Sequence, residues 1–285
     1  MVTFSAQTGS RLAAMFDKRY AIMMIRRFAV ASTLIMALAA LTLCVTVRRT
    51  VVAAESSTPI KNVVLVHGAF ADGSSWAKVI PLLEAKGLNV VAVQNPLSSL
   101  ADDVAVTKRA IAQTPGRLIL VGHSWAGMVI SEAGNDPKVA GLVYIAALVP
   151  AKGQNAGDVT KGYPAPPGSA QSKPDASGYL SLTRRGVEED FAPDLPAAER
   201  AVLYATQGPW NSAALKERVM NPAWATKPSW FIAVDDRMLP PQYELDVAKR
   251  IHAAVTKLPT SHVAMLAMPE KVADVILDAV NHTVK

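Results

Sequence analysis

Between residues 62 and 258, six short aliphatic runs alternate with longer segments of helical spacing, and this alternation restricts the fold more than any other feature. The runs are NVVLVHG (62–68), LNVVAVQ (88–94), RLILVGH (117–123), GLVYIAAL (141–148), SWFIAVDD (229–236) and AAVTKL (253–258). The first five are almost continuously apolar, as expected of parallel strands covered on both faces. Helices are expected over 76–86, 101–113, 125–133, 241–251 and 269–280. Strand and helix in such strict order imply an α/β fold around a parallel sheet with right-handed crossovers. No internal repeat is visible.

One region breaks the rhythm. Residues 151–180 contain five Gly, four Pro and three Ser, a density that a buried element does not tolerate. Two short helical stretches follow, PAAERAVLYATQ (196–207) and SAALKERVM (212–220). Residues 151–225 therefore read as an insertion covering the sheet, a small helical cap. Phe191, Tyr204, Trp210, Met220 and Trp224 supply apolar surface to dock it, which a disordered linker would lack.

The start of the chain has a different character. Residues 28–47, FAVASTLIMALAALTLCVTV, carry no charge and are long enough to cross a bilayer as a helix. Five basic residues precede the run (Arg11, Lys18, Arg19, Arg26, Arg27) and two follow it (Arg48, Arg49). That bias places the start in the cytoplasm and the rest of the chain outside. Val52-Ala53-Ala54 is an acceptable cleavage site, so residues 1–54 read as a signal peptide or as an uncleaved membrane anchor, with Met23 or Met24 as alternative starts. The expectation is an exported protein, periplasmic or secreted, or one anchored with its catalytic domain outside. Any membrane contact would run through residues 28–47.

Setting the leader aside changes the charge balance. It holds seven of the 29 Lys/Arg and one of the 23 Asp/Glu, leaving 22 of each in residues 55–285. A neutral domain lacks the basic face that a nucleic-acid partner requires. The single cysteine, Cys44, lies in the leader, so residues 55–285 can form neither a disulfide nor a cysteine metal site. That length suits one sizeable core.

Candidate chemistry begins at Gly122-His123-Ser124-Trp125-Ala126-Gly127, between an aliphatic strand and an apolar helix. A serine at such a turn needs small neighbours, because the chain reverses sharply. Ala126 stands where a glycine is usual, in the first helical turn, where one methyl is bearable. By itself the pattern is common, and a plain helix-capping serine would look similar. The flanking strand and helix distinguish it.

A serine hydroxyl is a weak nucleophile without a base and an acid to orient that base. His67 and His123 end strands, His252 belongs to a helix and His282 to the tail. His262 alone sits in a loop after the last strand, in LPTSHVAML. Between Ser124 and His262, WFIAVDDRMLPP ends a strand with two aspartates whose side chains point opposite ways. Asp236 is the first choice for the acid and Asp235 the reserve. Two N–H donors are needed for the developing oxyanion. Trp125 supplies one; the other comes from the HGAF loop, with Ala69 ahead of Phe70. His67 is assigned to bracing that loop.

The motifs VVLVHGAFADGSSWAKVIPLLEAKGLNVVAV, GHSWAG, PSWFIAVDDRMLPP and SHVAMLAMPEKVADVI together resemble the α/β-hydrolase superfamily. Within it they are similar to the branch of small carboxylesterases and hydroxynitrile lyases, over residues 62–280 and least in the cap. The resemblance implies a mostly parallel six-stranded sheet flanked by helices, a helical cap, a Ser124/Asp236/His262 triad and no cofactor or metal. Lyase relatives of the plant type carry a lysine after the histidine and a threonine in place of the HG glycine. Val263 and Gly68 stand here, which favours ester hydrolysis.

The expected partner is a small to medium apolar ester, with Phe70, Trp125, Tyr204, Trp210, Met220 and Trp224 as candidates for the pocket. The same triad could serve perhydrolysis, C–C hydrolysis or amide cleavage. A non-catalytic binding protein on this scaffold is a further alternative. The sequence is silent on oligomeric state.

Overall fold

The computed structural model describes residues 59–283. The apolar stretch 28–47, the cleavage site and the alternative starts lie outside the described residues. Among the described residues no helix is long and apolar enough to cross a membrane.

The six core strands are β1 (Asn62–Val66), β2 (Asn89–Val93), β3 (Leu118–His123), β4 (Val139–Ile145), β8 (Ser229–Val234) and β9 (Ala254–Leu258). They form one sheet in the order β2-β1-β3-β4-β8-β9, with every neighbouring pair parallel. β1, β3 and β8 are buried along their whole length, which is why their sequences show no polar alternation. β2 was expected to be covered on both faces but is largely exposed except at Val93, because it is an edge of the sheet. The strand order reverses about β1, with β2 on one side and β3 on the other. A crevice therefore opens at the carboxyl ends of β1 and β3, where α/β sheets place their ligands.

The helices that pack on the sheet are α1 (Ile80–Glu84), α2 (Leu100–Gln113), α3 (Ala126–Ala133), α5 (Pro241–Arg250) and α6 (Pro269–His282); α4 (Ala197–Thr206) lies in the cap. Ser99 starts α2 by accepting the Asp102 N–H at 3.0 Å, a common helix cap. Leu100, Asp103, Val104, Thr107 and Ile111 form its buried stripe. The helix expected over 76–86 begins later than its sequence suggested. Trp76 belongs to a capped 3₁₀ turn, Gly73–Trp76, and α1 starts at Ile80, with Pro81 in its first turn, where a missing N–H costs nothing.

Residues 146–228, between β4 and β8, hold α4 together with a three-stranded antiparallel sheet, β5 (Ser172–Pro174), β6 (Tyr179–Leu182) and β7 (Trp210–Asn211). Strands of two to four residues are too short to show a period in sequence. The stretch 212–220, read as helical, forms only a 3₁₀ turn at Ser212–Lys216, where Asn211 accepts the Ala213 N–H. The cap is tied to the core at several points. The Asn211 N–H donates to Leu97 O at 2.9 Å, and the Trp224 indole donates to Pro150 O at 2.7 Å.

Candidate active site

β3 ends at His123, and Ser124 turns the chain with φ 54°, a left-handed conformation that costs a non-glycine residue energy. Hydrogen bonds to the neighbouring strand region hold it there. The Ser124 N–H donates to Ile145 O, and Ser124 O accepts from Leu148 and Gly127, all at 3.0 Å. The flanking glycines are demanded by space. A Cβ on Gly122 would lie 2.8 Å from Ala126 O, and one on Gly127 would lie 2.2 Å from Leu148 O. Ala126 opens α3 and is fully buried.

His262 sits on the loop after β9, with its Nδ1 2.6 Å from Asp236 Oδ2 and both side chains almost completely buried. Asp235 instead is exposed and contributes its backbone N–H to Thr260 O. Asp236 Oδ1 also accepts the Met238 N–H at 2.6 Å. Burial opposes ionisation of Asp236, yet the His262 imidazole, Glu244 and the Met238 N–H together hold it below the usual carboxylate range.

Glu244, on α5, accepts the Val234 N–H at 3.0 Å and lies buried close to the Asp236 carboxylate. Its burial, followed by the adjacent Asp236 charge, pushes it well above the usual glutamate range. Burial and the adjacent charge thus favour the protonated form of Glu244, whose hydroxyl is a donor that a carboxylate lacks.

The two strand-end histidines are structural. His67 Nε2 accepts the Asn95 N–H at 2.9 Å, which leaves Nδ1–H to donate to Gly68 O at 2.8 Å. Burial lowers its pKa, so a neutral ring braces the loop after β1. His123 Nε2 donates to the carbonyl oxygen of His262 at 2.9 Å. Burial and the neighbouring His262 push its pKa far down. Gly68 lets the braced loop approach the turn, since a Cβ there would meet Ser124 Cβ at 2.8 Å. Among the described residues, no oxygen takes the N–H of Ala69, Phe70 or Trp125.

Ser124, His262, Ala69, Phe70, Trp125 and Trp210 line one cavity of about 200 Å³. Ser124 Oγ and the imidazole border this space without a direct hydrogen bond, and contacts of this kind commonly tighten only with substrate bound. Tyr204, Met220 and Trp224, expected in the pocket, do not line it. Tyr204 lies under the Arg184 guanidinium, 4.4 Å from its ring centre, Met220 is half exposed, and Trp224 docks the cap through Pro150. Tyr204 and Trp224 pack against the core while Met220 faces solvent, and composition cannot separate those uses of apolar bulk from lining. Among the described residues no group of three or more His, Cys, Asp or Glu side chains could hold a metal ion.

Several wall residues escaped the sequence reading. Leu148, Leu180, Phe191, Leu215 and Met238 close the cavity, and the Phe191 ring lies 5.5 Å from that of His262. The buried acids Asp103 and Glu244 were also missed. Both occupy the apolar stripe of a helix, and a carboxylate at a core-facing helical position is the signal that could have found them.

These features agree with what comparison shows. The alpha/beta hydrolase family profile matches residues 63–275. A pyrethroid hydrolase of Sphingobium wenxiniae is 28% identical over 261 residues, covering 77% of this chain and 87% of that protein. Esterase PIR7B of Oryza sativa subsp. japonica is 32% identical over 122 residues, 37% of this chain and 46% of that protein. The crystal structure of the pyrethroid hydrolase PytH with BIF superposes with a TM-score of 0.69 at 27% identity, covering 78% of this chain and 98% of that one. A match of this span, on a parallel sheet that carries a serine at its strained strand-to-helix turn, makes the chain a member of the alpha/beta hydrolase family.

Proposed function

We propose that this protein is a serine hydrolase cleaving small to medium apolar carboxylic esters through an acyl-enzyme on Ser124. The observation that carries the reading is the buried His262–Asp236 hydrogen bond of 2.6 Å behind an imidazole that shares its cavity with Ser124. The pyrethroid hydrolase and esterase relatives support the same class of bond.

Ser124 Oγ attacks the ester carbonyl carbon while His262 Nε2 takes its proton, and Asp236 stabilises the imidazolium. The oxyanion accepts hydrogen bonds from the Trp125 and Ala69 N–H groups; losing one such donor costs about 10²–10³ in rate. Collapse of the tetrahedral intermediate expels the alcohol, which takes the proton from His262. Water then attacks the acyl-enzyme with the same base, releasing the acid and restoring the serine.

A fluorophosphonate probe should modify wild type at Ser124 and leave Ser124→Ala unlabelled, with p-nitrophenyl butyrate hydrolysis lost in parallel. Equal turnover by the two proteins, or a label mapped elsewhere, would overturn the reading. The leader supports export or anchoring with the catalytic domain outside the cytoplasm, and recovery of all activity from the cytosolic fraction would refute that.

A further inference from the structure

Asp103 belongs to none of the roles above, yet it is completely buried beside the cavity. It projects from the first turn of α2, and each of its oxygens is engaged. Oδ2 accepts the Trp125 indole N–H at 2.8 Å, and Oδ1 accepts the Leu97 N–H at 2.9 Å. Leu97 holds a left-handed conformation, φ 57°, and its carbonyl takes the Asn211 N–H of β7. The next residue back in β7 is Trp210, whose ring centre lies 4.9 Å from that of Trp125 and 5.8 Å from Phe70. One carboxylate therefore holds both indoles of the cavity wall, the first directly and the second through Leu97 and the cap strand.

The consequence is chemical as well as steric. Trp125 supplies a backbone N–H to the oxyanion and an indole to the wall. An indole released from Asp103 loses the hydrogen bond that fixes its orientation, and a turn about its side-chain bonds would change the length of the cavity beside Ser124. A charge-assisted hydrogen bond in a water-excluded position is stronger than a neutral one, and burial of the aspartate has no purpose in the core without its two donors.

We propose that Asp103 is a positioning residue that sets the acyl-chain preference of the Ser124 site by holding Trp125 and, through Leu97, the Trp210 wall. This rests on the ester-hydrolase reading and deepens it, since it makes a short acyl group the preferred substrate portion.

The experiment is a double-mutant cycle with Asp103→Asn, Trp125→Phe and the pair. It reads the ratio of kcat/KM for p-nitrophenyl hexanoate to that for the acetate. Asn can accept from only one of the two donors, and Phe removes the indole N–H while keeping the aromatic wall. Each single variant should raise the ratio, by about tenfold on the scale that one or two methylenes are worth in a pocket. The second substitution should add less than about twofold, as residues acting through one contact are not additive. If Asp103→Asn folds too poorly to assay, Trp125→Phe alone still decides, because an unshifted ratio there overturns the proposal. Additive shifts would also overturn it, since Asp103 would then act independently of the indole. A purely structural aspartate would lower both esters together and leave the ratio alone. A wild type that turns over no ester defeats the ester-hydrolase reading itself, an outcome distinct from active variants with an unaltered ratio.

Discussion

Asp194 in the cap holds Ser261 through both carboxylate oxygens, accepting its backbone N–H at 2.8 Å and its hydroxyl at 2.5 Å, one residue before His262. The adjoining π-helical turn, Val187–Phe191, adds an Asp190–Arg237 ion pair next to Asp236 and the Phe191 ring against His262. The cap thus grips both loops that carry the candidate base and acid. These contacts are part of how that pair is aligned.

Asp194→Ala should therefore cost more in activity than its exposed location suggests. Losing the double contact leaves two Ser261 donors unpaired, worth about 1–3 kcal/mol of stability where water does not replace the partner. Displacement of the imidazole by a fraction of an ångström should lower kcat/KM on the order of tenfold to a hundredfold. Steady-state rates on p-nitrophenyl butyrate, with denaturant melts as control, check this; a folded variant with unchanged kcat/KM contradicts it.

The two adjacent aspartates should behave very differently. Asp236→Asn keeps the shape but removes the charge that orients and stabilises the imidazole, a change worth about 10⁴ in kcat in sites of this kind. Asp235 is exposed and touches the loop only through its backbone N–H, so Asp235→Asn should leave kcat essentially unaltered. Parallel assays of the two variants are decisive, and an equal loss in both would refute the assignment.

Glu244 should make stability depend on pH in a defined direction. Its folded pKa is raised by burial and then by the Asp236 charge, so above the unfolded value of about 4.3 the folded protein keeps a proton that the unfolded chain releases. Stability contributed through this group is then lost as pH rises towards its folded pKa. Asp236, with a lowered pKa, acts oppositely: its contribution is present above about 3.9 and is lost as pH falls through its folded value. Glu244→Gln removes the first effect while keeping a polar side chain of the same shape beside Asp236. Its stability relative to wild type should grow between pH 5 and 8, by at most about 1.4 kcal/mol per pH unit. Urea melts at the two ends measure this; a constant difference would show that Glu244 is ionised when folded.

Gly127 tests the packing of the turn. Its missing Cβ faces Leu148 O, a backbone atom that cannot swing aside. Gly127→Ala should cost about 1–3 kcal/mol, the range typical of overpacking, and slow fluorophosphonate labelling of Ser124 as α3 moves off the strand. A thermal shift near zero would mean the contact relaxes freely.

Much of this architecture was legible along the chain. Aliphatic runs in strict alternation with helical segments pointed to the parallel core, although the run of β2 lies at an exposed edge, and the strand-to-helix context singled out Ser124. His262 stood out as the candidate base because loop position and chain order are linear properties. The cap strands were not, because two to four residues carry no period, and Tyr204, Met220 and Trp224 read as pocket candidates because bulk says nothing about which surface it meets.

Choosing between Asp236 and Asp235 required the fold, since neighbouring strand residues differ only in which face they present. The same holds for Asp103, Asp194 and Glu244. Their partners, Trp125, Ser261 and Asp236, lie between 8 and 67 residues away in the chain. Local sequence determines the elements, because backbone and burial preferences act over a few residues. Tertiary structure decided which carboxylates are buried, paired or left in water, because that depends on distances the linear order does not contain.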